Sequence, residues 1–374
     1  MPPSPGAMTS RFWHDRRVLV TGHTGFKGSW LCLWLNALGA RVTGYALEPP
    51  TQPSLYQLAS VDELMASTIG DIRDLGGLER TVASAKPEIV LHLAAQSVVL
   101  SSYEDPVATY SSNVMGTVHV LEAIRRTRQR CVVVNVTTDK CYANRGWVWG
   151  YRENDRLGGH DPYSNSKACA ELVAQSYRES FFPLDQHAAH GVAIASARAG
   201  NVIGGGDWTP RQLIPEAVAA LMRGDPVSLR HPEATRPWQH VLDCLHGYLV
   251  LAESLAGDAQ RYSGEWNFGP DDADARPVAY LVERLAKHWA VAVPWVQDAV
   301  PHASEELELR LDSGKASRLL GWRGRLGIDA SLEWVARWYD GYRTGEAPRA
   351  LCLEQIGQFA NELLGSREET GARR

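Results

Sequence analysis

A short aliphatic run followed at once by a glycine-rich loop constrains the fold of this 374-residue chain more than any other stretch. The run 17–21 is typical of a buried strand, and the apolar-periodic segment 29–38, ended by Gly39, predicts a helix. A loop between a strand and a helix can turn tightly, bring backbone N–H groups close to a pyrophosphate and present a helix N-terminus to it. We therefore predict a dinucleotide site, with a structural turn as the alternative. Its residues are Gly22, Thr24, Gly25, Phe26, Lys27 and Gly28.

Strand-like and helix-like segments alternate through the first half of the chain. Further strands are predicted at 41–47, 65–69, 88–95, 131–136 and 192–197, and helices at 74–85, 106–126 and 162–181. This alternation favours an α/β fold with a Rossmann-type, doubly wound parallel sheet, which strand 192–197 would complete. The length predicts two domains. We assign 1–198 to dinucleotide binding, with segments near 236–262 returning to it. We assign 199–365 to a smaller, mostly C-terminal α+β substrate domain, and 366–374 to a disordered tail.

Polar residues crowd the predicted carboxyl ends of the strands, where ligands bind in open parallel sheets. The clearest group follows strand 131–136 and consists of Thr137, Thr138, Asp139 and Lys140. Asp71, past another strand end, either faces an adenine or caps a helix, and Asp74 suits the cap better. The second strand does not end in the acidic residue that would bind a ribose 2′-hydroxyl, and Glu48 lies further along the chain. This position therefore does not decide between NAD and NADP.

Tyr163 and Lys167 stand four positions apart, just inside the helix predicted to begin at Pro162. Residues with this spacing share one helix face. A phenol normally titrates near pH 10. An ammonium group one turn away lowers its pKa, so the pair predicts a base for a substrate hydroxyl. The alternative is an ordinary solvated helix carrying the same two residues.

Composition excludes several classes of protein. The net charge of −5 gives no electrostatic case for nucleic acid, and no apolar run approaches the length of a membrane span. Residues 1–16 lack the apolar core of a secretion signal, so we expect a cytoplasmic protein. The six cysteines and twelve histidines show no metal-ligand spacing, and we predict no metal.

These stretches together resemble the extended short-chain dehydrogenase/reductase family, over nearly the whole chain. The resemblance is carried by Gly22, Gly25 and Gly28, by Asp71 and Ile72, by Leu93, Ala94, Ala95 and Gln96, by Asn113, and by Tyr163 with Lys167. Within this family the chain is similar to the nucleotide-sugar 4,6-dehydratases, most closely to those that act on CDP-glucose. That narrower likeness is carried by the longer strings 22–30, 137–142, 200–208 and 235–241.

The resemblance implies a reaction and a role for each residue of the site. Such dehydratases oxidise C4 of glucose, eliminate water across C5 and C6, and return the hydride to C6, with NAD bound throughout. Tyr163 with Lys167 would take the proton of the 4-hydroxyl, which Thr138 also contacts. Asp139 would be the acid for the departing 6-hydroxyl and Lys140 the base at C5, unless Lys140 only pairs with Asp139. The dTDP-glucose enzymes carry Asp-Glu here, whereas the CDP-glucose enzymes carry Asp-Lys.

The same resemblance implies the binding residues and partners. The residues expected to hold NAD are Gly22, Thr24, Gly25, Phe26, Lys27, Gly28, Asp71, Ile72, Leu93, Ala94, Ala95, Asn113, Thr137, Tyr163 and Lys167. Those expected to hold CDP-glucose are Gln96, Asn201, Asp207, Trp208, Arg211 and Arg236. The two arginines suit a pyrophosphate, or else form surface ion pairs. Trp208 and Trp238 suit a base pocket, or else the core. Relatives commonly form dimers and serve the synthesis of deoxysugars for surface polysaccharide, including lipopolysaccharide O-antigen.

Three other functions compete with this interpretation. A nucleotide-sugar 4-epimerase shares the tyrosine, lysine and cofactor, but it needs no acid and base for elimination, so Asp139 and Lys140 argue against it. A non-catalytic dinucleotide sensor would not need an intact tyrosine–lysine pair. A decarboxylase would need an additional cationic cluster near Asp139, which the sequence does not show.

Overall fold

The computed structural model describes residues 10–298 and 309–371. The predictions for the first nine residues and for 372–374 lie outside the described residues. The strands are β1 (Arg17–Thr21), β2 (Arg41–Ala46), β3 (Ala66–Ile69), β4 (Ile89–His92), β5 (Val132–Val136), β6 (Ala193–Ala199), β7 (Asn201–Ile203), β8 (Val227–Leu229), β9 (Thr235–His240), β10 (Gly264–Phe268), β11 (Ala275–Pro277) and β12 (Trp295–Gln297).

The helices flank these strands and connect them. They are α1 (Ser10–Trp13), α2 (Phe26–Ala37), α3 (Leu55–Leu58), α4 (Leu75–Ala85), α5 (Val99–Glu104), α6 (Pro106–Tyr110), α7 (Gly116–Thr127), α8 (Pro162–Ser180), α9 (His187–His190), α10 (Leu213–Leu221), α11 (Val241–Gly257), α12 (Ala259–Tyr262), α13 (Val278–His288), α14 (Ile328–Arg343) and α15 (Pro348–Gly371). Short 3₁₀ turns cover Val61–Leu64, Asp139–Cys141, Leu184–Gln186 and Asp272–Asp274, and π-helical turns cover Ser111–Met115 and Ala316–Leu320. In the described part of the chain, no helix is both long and apolar enough to cross a bilayer.

A seven-stranded parallel sheet forms the centre of the described molecule, with strand order β10-β6-β5-β4-β1-β2-β3. The order reverses between β1 and β4, as in a doubly wound sheet, and the predicted α/β Rossmann-type fold is confirmed. The prediction that strand 192–197 completes the sheet is wrong, because β10 pairs in parallel with β6, Gly264 opposite Ala195. A strand-forming pattern predicts a strand but not its distant partner.

Side chains of the sheet alternate between two apolar cores, as the period of a β-strand requires. In β5, Val132, Val134 and Val136 enter one core, which also receives α2 and α11. Val133 enters the other core, together with side chains of α4, α7 and α8. Because both faces of the sheet are covered, its strands are nearly continuous hydrophobic runs.

Helix α2 is buried on almost every side, from Gly28 to Leu35. Its inner face packs on the sheet, and its outer face packs on α15, where the Trp34 and Phe359 rings meet edge to face at 5.6 Å. A helix that is hydrophobic all round needs such double cover. Helix α15 continues to Gly371, so the first part of the segment predicted as a disordered tail is helical.

The predicted single helix 106–126 is interrupted. Helix α6 passes into the π-helical turn Ser111–Met115, which leads into α7. Helix α5 before them lies in a stretch where no element was predicted. π-Helical turns occur frequently at functional sites, since the extra residue redirects one side chain. Here the redirected residue is the buried Asn113.

Two smaller sheets follow the large one, with strand orders β11-β9-β7 and β12-β8 in the described residues. Strand β7 begins two residues after β6 ends, so the chain passes directly from the large sheet into the second region. Helix α10 and the loop before it also belong to this second region. The two regions meet at the carboxyl ends of β1, β4, β5 and β6.

Candidate active site

A cavity of about 720 Å³ opens at the carboxyl ends of the central strands. Its walls come from the glycine loop, the ends of β2 to β5, the start of α8, and residues 200–215 of the second region. This volume suits a small-molecule or cofactor site. Among the described residues, no group of His, Cys, Asp and Glu side chains has the arrangement of a metal site.

The glycine loop is shaped by contacts that leave no room for a side chain. A Cβ on Gly28 would lie 2.1 Å from the carbonyl oxygen of Gly22, and a Cβ on Gly22 would lie 2.7 Å from the backbone nitrogen of Ala94. Thr24 Oγ1 donates to the carbonyl of Leu47 at 2.8 Å and ties the loop to the end of β2. The free N–H groups of the first turn of α2 therefore face the cavity, in the arrangement that binds a pyrophosphate.

The ends of β2 and β3 form the outer part of this cradle. Glu48, Asp71 and Ile72 line the cavity. The Asp71 carboxylate accepts the Arg73 backbone N–H at 2.8 Å and its guanidinium at 2.5 Å, and hydrogen bonding to Arg73 lowers the pKa of Asp71. Asp74 occupies the N-cap position of α4, as predicted, although its side chain makes no capping hydrogen bond.

Asn113 closes the loop that follows β4. Its Oδ1 accepts the backbone N–H of Gln96 at 2.8 Å, and its Nδ2 donates to the Gln96 carbonyl and to Ser166 Oγ, both at 2.9 Å. The expected residues Leu93, Ala94 and Ala95, the last two of them small, line the cavity beside it. Asn113 thus fixes the backbone of this wall to α8. The Gln96 side chain instead donates hydrogen bonds to the Val98 carbonyl and to Thr109 Oγ1.

Tyr163 and Lys167 are brought to the cavity by the first turns of α8. Asp161 caps the helix by accepting the Ser164 N–H at 2.8 Å. Lys167 Nζ donates to the Val136 carbonyl at 3.1 Å, and burial lowers the pKa of Lys167 to about 8. Burial also raises the pKa of Tyr163, against the lowering by a hydrogen bond with Thr138.

The expectation that Lys167 lowers the pKa of Tyr163 is therefore corrected. Both side chains are buried, and Lys167 Nζ turns toward the β5 carbonyl. Burial disfavours the phenolate and raises the pKa, while the opposing influence comes from the hydroxyl of Thr138. Sequence spacing showed the shared helix face but not the desolvation of the phenol.

Thr138, Asp139 and Lys140, here called the strand-end turn, follow β5. Thr138 Oγ1 donates to Asp139 Oδ1 at 3.0 Å and accepts the Lys140 N–H at 3.3 Å. Asp139 is buried, which raises the pKa of its carboxyl, and its Oδ2 has no hydrogen-bond partner among the described residues. A Cβ on Gly200 would lie 3.1 Å from that oxygen, so the glycine leaves the space beside it open.

Lys140 lines the cavity next to Asp139. Its charge lies close enough to Asp139 to lower the pKa of that carboxyl, so a structural pair of Lys140 with Asp139 stays the alternative to a catalytic role. A buried carboxyl and a cavity-lining lysine on one short turn place a candidate proton donor beside a candidate proton acceptor.

The residues expected to bind substrate divide into two groups. Asn201 and Asp207 line the cavity. Trp208 packs instead against Trp338, Tyr339 and Tyr342, with ring centroids 5.7 to 6.0 Å apart. The Trp238 ring, by contrast, reaches the cavity wall.

The two arginines also lie outside the cavity lining. Arg211 forms an exposed ion pair with Glu104 at 2.7 Å, which was its alternative interpretation. Arg236 is buried, donates to the Thr235 carbonyl at 3.0 Å, and lies close enough to Asp139 to lower its pKa. Their binding to substrate stays a prediction.

Several residues that line the cavity were not predicted to do so from the sequence. They are Glu48, Pro50, Thr51, Ser97, Val98, Val99, Ser101, Ser112, Thr209, Pro210, Gln212, Leu213, Ile214 and Pro215. The last six precede or begin α10, whose first three residues line the cavity. The Pro at 210 and at 215 marks a helix start, and this signal was available in the sequence.

A buried tyrosine one turn before a buried lysine, beside a cavity at the carboxyl ends of a doubly wound sheet, is the arrangement expected of the extended short-chain dehydrogenase/reductase class. A family model described as GDP-mannose 4,6 dehydratase matches residues 19–334. The chain belongs to that family, as the resemblance in the sequence predicted.

Known relatives narrow the comparison. The chain is 51% identical over 348 residues to the CDP-glucose 4,6-dehydratase of Salmonella typhimurium (strain LT2), with 93% of this chain and 97% of that protein covered. A dTDP-glucose 4,6-dehydratase of Streptomyces griseus is 30% identical over 346 residues, with 88% and 96% covered.

Solved structures of two related enzymes share the fold. The dTDP-glucose 4,6-dehydratase of Streptomyces venezuelae, with NAD and TYD bound, superposes with a TM-score of 0.71 at 27% identity, over 89% of this chain and 99% of that one. The UDP-glucose 4-epimerase of Thermus thermophilus, in complex with NAD, gives 0.73 at 25% identity, over 88% and 99%. Dehydratases and epimerases therefore share this fold, and the fold alone does not separate them.

The glycine cradle can be tested by adding a single methyl group. Gly28→Ala is expected to weaken NAD binding by at least about tenfold, because the new Cβ would overlap the Gly22 carbonyl and displace the loop. The control is Gly257→Ala at the end of α11, where a Cβ would meet no atom within 4 Å. Calorimetric titration with NAD measures the effect. Equal affinity in both variants would contradict the proposed cradle.

Proposed function

We infer that this chain catalyses the 4,6-dehydration of CDP-D-glucose, giving CDP-4-keto-6-deoxy-D-glucose and water, and that it uses bound NAD. The observation that carries this inference is the 51% identity to a CDP-glucose 4,6-dehydratase across 93% of the chain. The chain is accordingly a lyase. A nucleotide-sugar 4-epimerase is the second candidate on the same fold, and it has no use for the acid and base of the strand-end turn.

The glycine cradle supports the use of NAD. Gly22, Gly25 and Gly28 bring the backbone of the loop and the start of α2 to the cavity, and Thr24 fixes the loop to β2. Glu48 at the cavity wall offers a carboxylate for ribose hydroxyls. When bound, NAD supplies a two-electron acceptor that is restored within each cycle, so no external reductant is consumed.

Oxidation at C4 is assigned to Tyr163, Thr138 and Lys167. Tyr163 is assigned as the general base that receives the proton of the 4-hydroxyl. Because burial raises its pKa, this role requires a positive charge beside the phenol, which the oxidised nicotinamide ring of bound NAD would supply. Thr138 holds the phenol by a hydrogen bond that lowers the pKa of Tyr163. Lys167, one helical turn after Tyr163, is held by its bond to the Val136 carbonyl. The 4-keto group that results acidifies the C5 proton and prepares the elimination.

Elimination is assigned to Asp139 and Lys140. Burial raises the pKa of the Asp139 carboxyl, which therefore keeps its proton to a higher pH than an exposed aspartate and can give it to the departing 6-hydroxyl. Lys140, next to it at the cavity wall, takes the C5 proton. An epimerase would need neither step, so this pair separates the two candidate functions.

The association of two chains is proposed from an exposed apolar surface on α5, α6, the following π-helical turn and α8. Its residues include Tyr103, Val107, Tyr110, Met115 and Leu172, of which Val107 is 78% exposed. Exposed large apolar side chains on neighbouring helices are a feature of protein interfaces. We propose a homodimer through these helices, which sedimentation equilibrium would measure. A cytoplasmic location and a role in deoxysugar synthesis for lipopolysaccharide O-antigen remain predictions.

A panel of glucose nucleotides tests the function. The purified protein is incubated separately with CDP-, dTDP-, UDP- and GDP-glucose, and the products are separated by liquid chromatography and analysed by mass spectrometry. We expect CDP-glucose to lose one water molecule without any added reductant. Conversion of a substrate without any change in mass would indicate the epimerase instead, and water loss from another nucleotide would overturn the assignment to cytidine.

A further inference from the structure

We propose that the buried ion pair between Arg198 and Glu171 is a positioning clamp that holds both ends of the strand-end turn. Arg198 lies in β6 and Glu171 in α8, and neither side chain lines the cavity. Arg198 Nη2 donates to Glu171 Oε2 at 2.9 Å. The inference rests on the proposed function, because it concerns the acid and base assigned to the elimination.

The first end of the turn is held through Thr137. Thr137 Oγ1 donates a short hydrogen bond to Glu171 Oε1, the carboxylate oxygen that Arg198 does not use. Glu171 stands one helical turn after Lys167, which donates to the carbonyl of the preceding residue, Val136. Two successive residues at the end of β5 are thus fixed to α8, one by each of two side chains on the same helix face.

The second end is held through Tyr142, the residue after the 3₁₀ turn. Arg198 Nη1 donates to the Tyr142 hydroxyl at 2.8 Å and to the Glu153 carbonyl at 3.0 Å. The guanidinium also lies 5.0 Å from the centroid of the Tyr142 ring. The Tyr142 hydroxyl in turn donates to Asn267 Oδ1 in β10 at 2.7 Å. The same arginine therefore reaches the carboxylate that holds residue 137 and the phenol that ends the turn.

The turn depends on this external support because its own acid has little. Asp139 Oδ2 is buried without a hydrogen-bond partner among the described residues, as a group that must meet a substrate hydroxyl requires. Its remaining oxygen is bonded only within the turn, to Thr138. The direction in which Asp139 and Lys140 point is therefore decided by residues 137 and 142, on either side.

Burial makes the clamp stiff. The side chains of Arg198 and Glu171 are 2% and 1% exposed. Loss of one member of a buried pair leaves an uncompensated charge in a medium of low dielectric, so the two side chains stay together. Both Nη atoms of Arg198 and both carboxylate oxygens of Glu171 are hydrogen-bonded, whereas Arg198 Nε has no partner among the described residues. The bonds that are made restrict the backbone geometry around the pair.

The clamp acts on the elimination more than on the oxidation. Asp139 and Lys140 lie within the clamped turn, whereas Tyr163 is held separately, by its backbone N–H donating to Ser102 Oγ at 3.1 Å. Thr138 takes part in both steps, so loosening the clamp also slows oxidation, but only weakly. A general loss of stability would lower both steps together, which makes the ratio of the two steps the informative quantity.

The test releases each end of the turn without removing the buried charges. Tyr142→Phe removes the hydroxyl that Arg198 and Asn267 share, and Thr137→Val removes the hydroxyl bonded to Glu171. In single turnovers with CDP-glucose, reduced nicotinamide absorbance follows oxidation, and deuterium incorporation from solvent at C5 follows elimination. We expect elimination to slow by about tenfold or more and oxidation by less than about threefold in either variant.

A readout without catalysis accompanies the kinetics. Amide hydrogen exchange of the segment 137–142 is expected to speed up in both variants, because the turn opens more often. The control is Glu179→Gln, which removes the charge of an exposed carboxylate at the far end of α8, where it accepts from Gln175 Nε2 at 2.8 Å. This control is expected to change neither the ratio of the two steps nor the exchange of 137–142.

Each failure has its own signature. If both variants slow oxidation and elimination equally, or leave the exchange of 137–142 unchanged, the clamp is overturned while the dehydratase assignment stands. If the unmodified protein does not remove water from CDP-glucose, the proposed function fails, and the exchange experiment still reports whether Arg198 and Glu171 hold the turn.

Discussion

Tyr163→Phe is expected to lower the rate of CDP-glucose dehydration by about 10²–10⁴-fold, the usual contribution of a positioned acid–base group. Phenylalanine keeps the packing of the buried ring but has no atom that can take the proton of the 4-hydroxyl. Because oxidation comes first, the later steps stop as well. Single-turnover absorbance of reduced nicotinamide measures the first step directly, and we expect it to disappear while NAD affinity stays within about threefold of the unmodified protein.

The matched control for this variant is Tyr177→Phe, on the same helix. Tyr177 donates to Glu122 at 3.3 Å and lies more than three turns from Tyr163, away from the cavity. Unchanged turnover in that control assigns the loss to the phenol rather than to α8. Retention of more than about a tenth of the activity in Tyr163→Phe would contradict the assignment of the base.

Lys167 adds a pH dependence to this prediction. Burial lowers its pKa to about 8, so the ammonium loses its proton as the pH rises through about 8. Rates that depend on the charged form are therefore full below that pH and fall above it. A pH–rate profile of the oxidation step records the alkaline limb. The bond from Lys167 to the Val136 carbonyl weakens in the same range.

Lys140→Met is expected to abolish exchange of the C5 proton with solvent and to lower the formation of product by about 10²–10⁴-fold. Methionine matches the length and the apolar stem of lysine but cannot take a proton. Since Tyr163, Lys167 and the glycine cradle are unchanged, oxidation at C4 continues. We therefore expect reduced nicotinamide to accumulate in single turnovers, and deuterium from solvent to be missing at C5.

Lys287→Met, in the exposed last turn of α13, provides the control for loss of a lysine charge. It is expected to behave like the unmodified protein in both measurements. Normal turnover by Lys140→Met would refute its role as the base at C5. The assignment of the acid would then rest on Asp139 alone, which has the buried carboxyl and the raised pKa.

Much of the fold was predictable because local patterns decide it. The run 17–21, the glycine loop and the following helix agree with the structure within three residues. The strand-end positions of Thr138 and Asp71 followed from the parallel topology. The partner of β10 was not predictable, since the pairing of Gly264 with Ala195 is a contact between distant parts of the chain. Local sequence does not encode such register.

The candidate site, like the fold, could be predicted from the sequence only in part. Tyr163 and Asp139 line the cavity, as their motifs indicated, and Lys167 lies behind them with its Nζ on the Val136 carbonyl. Trp208 could not be assigned by residue type, because an aromatic ring suits a base pocket and a core equally, and its neighbours in the structure are other aromatic rings. The raised pKa of Tyr163 depends on how completely its phenol is desolvated, a property of the packed molecule.

The last strand of the large sheet has a consequence for synthesis on the ribosome. Residues of β10 are translated some seventy positions after β6, as their ranges Ala193–Ala199 and Gly264–Phe268 show. Until they emerge, a nascent chain exposes the unpaired edge of β6, and Tyr142 lacks its acceptor Asn267. The emerging polypeptide thus has an aggregation-prone border that only late residues cover, and chaperone binding should concentrate on that interval of translation.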